Sequence, residues 1–169
     1  VGVHLLHHYA AVLDPPARHD VQAVEQLHGP RPAVRLDEPD DHVRAAGRPP
    51  LLIATDQEGG QVRRLPWAGP VPTATALGRL GTTRIRAEAM ASGKALRLAG
   101  VNVNLAPVAD VPGPGSFMRR EERTLAASPA AVAGATVAFA RGLAGSRVAA
   151  AVKHFPGIGR AIRNTDRAA

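Results

Sequence analysis

A chain of 169 residues, 45% hydrophobic and 21% charged, has the composition of a globular domain with its own core, not of a disordered segment. It has no cysteine, which excludes disulfides and thiolate chemistry, and no apolar run approaches the roughly 18 residues of a membrane span. The net charge of +7 is carried by scattered arginines with no interleaved aromatics, so no nucleic-acid partner is expected.

The chain reads as two texts. Residues 1–48 hold six of the seven histidines and carry a formal charge of −2, whereas residues 49–169 carry +9. In the first text "VGVHLL" has strand character and "VQAVEQLH" suits a short helical turn. The stretches "DPPARHD" and "GPRPAVRLDEPDDH" are broken by proline and charge, which predicts mostly loop. His4, His7 and His8 cluster there without a placed carboxylate partner, so no metal site is expected. No signal-peptide pattern opens the chain, and the compartment stays open.

From Pro49 the pattern becomes regular. "LLIAT" (51–55) is an apolar run of strand length. A helix follows from about Thr83 to Ala99, with Thr82 or Thr83 as cap and Gly100 as terminator. "VNVNLAPV" (101–108) is the next strand. "SPAAVAGATVAFARGLAG" is a helix with Ser128 as N-cap, Pro129 in the first turn and Gly145 at the end. "VAAAV" (148–152) is the third strand. Helices of this length between short apolar strands imply parallel βαβ crossovers and an α/β fold.

Each strand ends in polar residues. The first runs into Asp56-Gln57-Glu58-Gly59-Gly60, the second into Asp110, the third into Lys153-His154. Parallel strands bring their C-terminal ends to one face, where α/β folds build their sites. Charged groups buried there without partners cost several kcal/mol. Either they hold a ligand or they pair with one another, for example Asp110 with Lys153.

The motifs "LLIATDQEGGQVRRL", "GVNVNLAPVADV" and "KHFPGIGRAIRNTD" together resemble glycoside hydrolase family 3, in its β-N-acetylhexosaminidase (NagZ-like) branch. The resemblance covers about residues 49–167, in order. It implies a (β/α)8 TIM barrel, about half of it present in this chain. It further implies a retaining glycosidase acting on terminal β-linked N-acetylglucosamine. The implied partner is a carbohydrate, an N-acetylglucosamine-containing glycan or muropeptide, and no cofactor is implied. By the same resemblance Asp56, Arg64, Arg123, Lys153 and His154 bind the sugar.

The sequence departs from that family pattern at three places. The branch carries Asp-Ser-His on the loop after the Lys-His pair, with the His as proton donor and the Asp orienting it. Here the positions read Asn164-Thr165-Asp166, so Asp166 is the candidate acid/base and Asn164 stands where the orienting Asp would be. Arg160, Arg163 and Arg167 flank Asp166 and favour its ionised form. The usual Gly-His-Gly reads Gly157-Ile158-Gly159, which removes a polar contact. Second, the retaining nucleophile, an Asp of a later strand, is missing from this chain, so the fragment alone is expected to be inactive. Third, residues 1–48 match the family poorly, as a divergent insertion or a frame-shifted stretch would, and 49–169 are read as the partial barrel. Three other readings stay open: a β-glucosidase-like member, a phosphorolytic member, or a non-catalytic sugar-binding remnant.

Overall fold

The computed structural model describes residues 51–167. The strand at "VGVHLL", the turn at "VQAVEQLH", the loop content and the histidine cluster all lie outside the described residues. In chain order the strands are β1 (Ala54–Thr55), β2 (Gln57–Gly59), β3 (Val62–Arg63), β4 (Val103–Asn104) and β5 (Ala149–Ala150). The helices are α1 (Ala74–Arg79), α2 (Gly81–Leu98), α3 (Phe117–Arg120) and α4 (Pro129–Ala144), with 3-10 turns at Pro66–Ala68 and Thr165–Arg167.

The three strands read from the sequence pair in parallel, in the order β1-β4-β5, with α2 joining the first two and α4 the last two. Ala54 faces Val103, and Val103 faces Ala149. The regular ladders are shorter than the apolar runs, but pairing continues beyond them. Leu105 N–H donates to the Thr55 carbonyl at 2.8 Å, and Ala109 N–H donates to Lys153 at 2.6 Å. Two asparagines extend the sheet with side-chain amides. Asn102 Oδ1 accepts from Ile53 N–H at 2.8 Å, while Asn104 exchanges bonds with the Gln57 backbone at 3.0 and 2.9 Å. The polar residues of "VNVN" therefore serve as sheet partners, and fully buried Asn104 is satisfied. Strands β2 and β3 form a separate antiparallel pair directly beyond β1.

Helix α2 buries Ile85, Ala89, Ser92, Gly93 and Leu96, a stripe at helical spacing. Helix α4 buries Val132, Ala135, Ala138, Phe139, Gly142 and Leu143 on the matching face. The core gathers Leu77, Ile85, Leu96, Phe139, Leu143 and Val148. Each large side chain buried there contributes about 1.5–3 kcal/mol.

The helix ends correct the expected caps in two places. Helix α2 starts at Gly81, so Thr82 and Thr83 fall inside its first turn and neither caps it. The reason is α1, a helix not anticipated in "TATALGRL", which runs into α2 with only Leu80 between. The cap belongs to α1: Thr73 Oγ1 accepts from Ala76 N–H at 3.1 Å. At α4, Ser128 holds the N-cap position and Pro129 the first turn, but the serine side chain makes no capping bond. At the other ends, Gly145 closes α4, and Gly100, with φ +79°, follows Ala99 at the end of α2 as expected.

Helices α2 and α4 approach closely at Gly142. A Cβ there would lie 2.4 Å from the Arg86 carbonyl oxygen and 2.7 Å from Ala89 Cβ. Gly134, two turns earlier in α4, has open space around it. The same substitution should therefore act oppositely at the two sites. Gly134→Ala should stabilise the protein by about 0.5–1 kcal/mol through helix propensity. Gly142→Ala should destabilise it by about 1–3 kcal/mol, because the backbones must separate. Urea midpoints of the two variants test this, and shifts of the same sign would refute the packing.

Candidate functional site

The parallel register brings the three polar strand tips together. Asp56 follows β1, Asp110 follows the extended β4 ladder, and Lys153-His154 follow β5. Lys153 Nζ lies 2.6 Å from Asp56 Oδ1 and 2.6 Å from Glu58 Oε1. Glu58 also receives a two-pronged bond from Arg123, Nε to Oε2 at 3.0 Å and Nη2 to Oε1 at 2.8 Å. Glu121 stands 3.7 Å from the same guanidinium. Hydrogen bonding to Glu58 raises the Arg123 pKa above its ordinary value against the opposing effect of burial, and the charges of Glu58, Glu121 and Asp166 add to the rise.

His154 takes a different partner. Its Nδ1 is 2.5 Å from Asp110 Oδ2. An ionised carboxylate only accepts, so Nδ1 carries the proton and Nε2 is left for a ligand. Asp110 Oδ1 accepts two more bonds, from Ile158 N–H at 2.7 Å and Gly159 N–H at 3.1 Å. The pairing of Asp110 with Lys153 entertained from the sequence is thus replaced. The long lysine stem crosses the central strand to the tip of β1, while the short imidazole stays with the adjacent β4 tip.

The second chain stretch of the site follows Pro156. Ile158, which stands where the resemblance implies a histidine, packs with Ala161 against the buried Val108, Phe117 and Met118. Its apolar side chain has a structural use. Phe117 N–H donates to the Ala161 carbonyl at 3.0 Å and Gly113 N–H to Gly159 at 2.9 Å, so this loop is laced to the segment after β4. Asn164 Oδ1 accepts from the Asp166 N–H at 2.9 Å, a local turn that sets the backbone of Asp166. Asp166 itself is exposed and makes no ion pair with Arg160 or Arg163.

All seven residues singled out from the sequence line one cavity of about 460 Å³: Asp56, Arg64, Arg123, Lys153, His154, Asn164 and Asp166. Arg64 stands exposed at its edge. Gln61, Val62 and Glu121 complete the lining. A second cavity, of about 430 Å³, is lined by Thr75, Arg79, Arg119, Glu122 and Leu125 among others, and no buried charge gathers there.

Sequence reasoning placed Glu58 at the first strand tip without giving it a role, and passed over Glu121. The signal for Glu58 was present: a carboxylate between Gln57 and Gly59 in a strand whose three residues are all buried. Gln57 beside it is structural. Its side-chain amide donates to the Leu65 and Gly69 carbonyls at 2.7 and 2.6 Å and accepts from Leu65 N–H at 3.0 Å. Among the described residues no group of His, Asp and Glu is arranged to hold a metal ion.

Similarity to known proteins identifies the family. The sequence model described as glycosyl hydrolase family 3 N terminal domain matches residues 21–166. The chain is 39% identical over 123 residues to an uncharacterized secreted glycosyl hydrolase of Arthroderma benhamiae, covering 69% of this chain and 34% of that protein. It is 35% identical over 121 residues to the beta-hexosaminidase LpqI of Mycobacterium tuberculosis, covering 70% of this chain and 31% of that one. The chain thus spans about a third of the length of these relatives. Among solved structures, the beta-N-acetylhexosaminidase from Beutenbergia cavernae superposes with a TM-score of 0.67 at 39% identity, over 73% of this chain and 39% of that one. A family 3 beta-N-acetylglucosaminidase from Paenibacillus gives 0.66 at 34% identity, over 75% and 24%. The chain belongs to glycosyl hydrolase family 3 and carries about half of the (β/α)8 barrel of its N-terminal domain.

Proposed function

We propose that this chain is part of a retaining glycosidase that removes terminal β-linked N-acetylglucosamine from a glycan or muropeptide. One observation carries the reading: seven residues from the tips of β1 and β5 and from the segments after β3, after α3 and after Pro156, far apart in sequence, line a single charged cavity. The names of the relatives support the choice of sugar. We further propose that residues 49–169 form the partial barrel and that residues 1–48, which the family match enters only at residue 21, are a divergent segment before it.

In this reading the cavity cations and Asp56 hold the ring hydroxyls. Sugar hydroxyls both donate and accept, and charged partners give them short, directional bonds. Lys153 keeps an N–H beyond its two carboxylate contacts, and His154 offers Nε2. Asp56, a third exposed, accepts from a hydroxyl with the oxygen that Lys153 does not occupy. Asp166 is the candidate donor of a proton to the departing oxygen, at the cavity edge where a leaving group exits. Asn164 acts on it through the turn it caps. Retaining chemistry also needs a nucleophile across the bond, which a later strand of the barrel supplies.

The competing readings separate on the full-length protein. Turnover of an aryl N-acetyl-β-glucosaminide well above the matching β-glucoside supports the hexosaminidase. The reverse order favours a glucosidase, phosphate-dependent turnover a phosphorylase, and binding without turnover a sugar-binding remnant. Two substitutions test the assigned roles. Asp166→Asn should lower kcat by about 10²- to 10⁴-fold with little change in KM, and a kcat within twofold of wild type removes Asp166 from proton transfer. Asp56→Ala should leave the fold intact, since Lys153 keeps Glu58. It should weaken N-acetylglucosamine binding by about 10- to 100-fold, the loss of a charged hydrogen bond, and unchanged affinity in a titration would overturn its role.

A further inference from the structure

We infer that Glu58, which nothing in the family comparison singles out, is the positioning residue that holds the two sugar-binding cations, Lys153 and Arg123, in a fixed relation to one another. The inference rests on the proposed sugar-binding roles of those two residues and adds a residue that does not touch the ligand. Glu58 is absent from the cavity lining and only 3% exposed, so it cannot itself meet a sugar. Both of its oxygens are nevertheless spent on cavity residues. Oε1 is shared between Lys153 Nζ and Arg123 Nη2, and Oε2 takes Arg123 Nε.

That arrangement fixes more than a single ion pair would. The parallel fork on Arg123 sets the plane of the guanidinium and leaves Nη1 for other partners. The shared oxygen ties Lys153 to the same point, so neither cation shifts without disturbing the other. Asp56 also binds Lys153, but it lines the cavity and turns its second oxygen to a hydroxyl. Glu58 has no such alternative. Asp56 and Glu58 face Lys153, Glu58 faces Arg123, and removing the Glu58 charge leaves Arg123 with Glu121 at 3.7 Å. The backbone that carries Glu58 is itself pinned. A Cβ on the next residue, Gly59, would stand 2.6 Å from the Pro72 carbonyl oxygen, and φ there is +114°.

The test compares wild type, Glu58→Gln and Glu58→Asp in the full-length protein, with two readouts. The first needs no sugar. Lys153 is acylated with an amine-reactive reagent and followed by peptide mass spectrometry, with exposed Lys94, the other lysine in this sequence, as internal control. Loss of the Glu58 charge should speed Lys153 labelling several-fold and leave Lys94 unchanged. The second readout is steady-state turnover of an aryl N-acetyl-β-glucosaminide. A displaced pair of binding groups should lower kcat/KM by about 10²-fold, carried mainly by KM. Glu58→Asp keeps the charge but withdraws it by one methylene, and should recover part of the loss. If Glu58→Gln does not fold, the labelling rate and KM of Glu58→Asp decide: wild-type values overturn the inference, and shifts in both uphold it. Wild-type labelling and KM in a folded Glu58→Gln overturn it as well. Should wild type itself neither bind nor turn over the glycoside, the functional reading fails, while the labelling arm still decides whether Glu58 holds Lys153.

Discussion

A carboxylate buried to 3% exposure cannot stay ionised without partners, and Glu58 obtains two of them from positions 65 and 95 residues away. Burial of an unpaired charge costs several kcal/mol, and losing one member of a buried pair typically costs about 3–5 kcal/mol. The cluster of Glu58, Arg123, Lys153 and Asp56 therefore forms only when β1, the loop after β4, and β5 are all in register. Folding of the sheet and assembly of the cavity are one event. Asp110 makes the same kind of link on the other side, tying His154 to the Ile158–Gly159 backbone through three accepted bonds.

What was legible in the sequence follows from what sequence patterns encode. Apolar runs of strand length separated by helices of some 16–18 residues identify parallel βαβ order, and the structure has it. Convergence of Asp56, Asp110, Lys153 and His154 followed from strand direction alone. Which cation meets which carboxylate did not follow, because that depends on strand order and on side-chain reach. Lys153 passes over β4 to the tip of β1, a choice made by three-dimensional distance. Helix α1 was hidden because it is six residues long, carries Gly78 near its end and leaves no room for a periodic signal. The cap expected at Thr82 or Thr83 failed for the same reason, since the start of α2 is set by the helix before it.

The departures from the family pattern divide on the same principle. Ile158 looked like a lost polar contact. In the structure it belongs to a small apolar cluster with Val108, Phe117 and Met118, which anchors the loop to the segment after β4. A histidine there would bring a polar ring to that cluster, so the apolar residue strengthens the anchor where a contact is given up. Asn164 likewise looked like an orienting carboxylate made neutral. Its oxygen serves the backbone of Asp166, two residues on, a task that an amide performs without adding charge beside Asp166.

These contacts divide the cavity into two kinds of wall. The proposed sugar-holding side, Asp56, Arg123, Lys153 and His154, is cross-braced by buried Glu58 and Asp110 from behind. Directional bonds to several hydroxyls lose strength with small displacements, so the groups that make them gain from rigid support. The wall that carries Asp166 is held differently. Its anchors stop at Ala161 and at the Ile162 carbonyl, which Arg120 Nη2 reaches at 2.7 Å, and beyond them, among the described residues, Asp166 is held by the turn at Asn164. A group that exchanges a proton with a leaving oxygen must follow that oxygen as the bond breaks, and catalytic hydrogen bonds often tighten only in the bound complex. Strong bracing at the proposed binding wall and light bracing at Asp166 is a distribution that suits the proposed chemistry. It places the demand for precision on strand tips and the demand for adjustment on a loop.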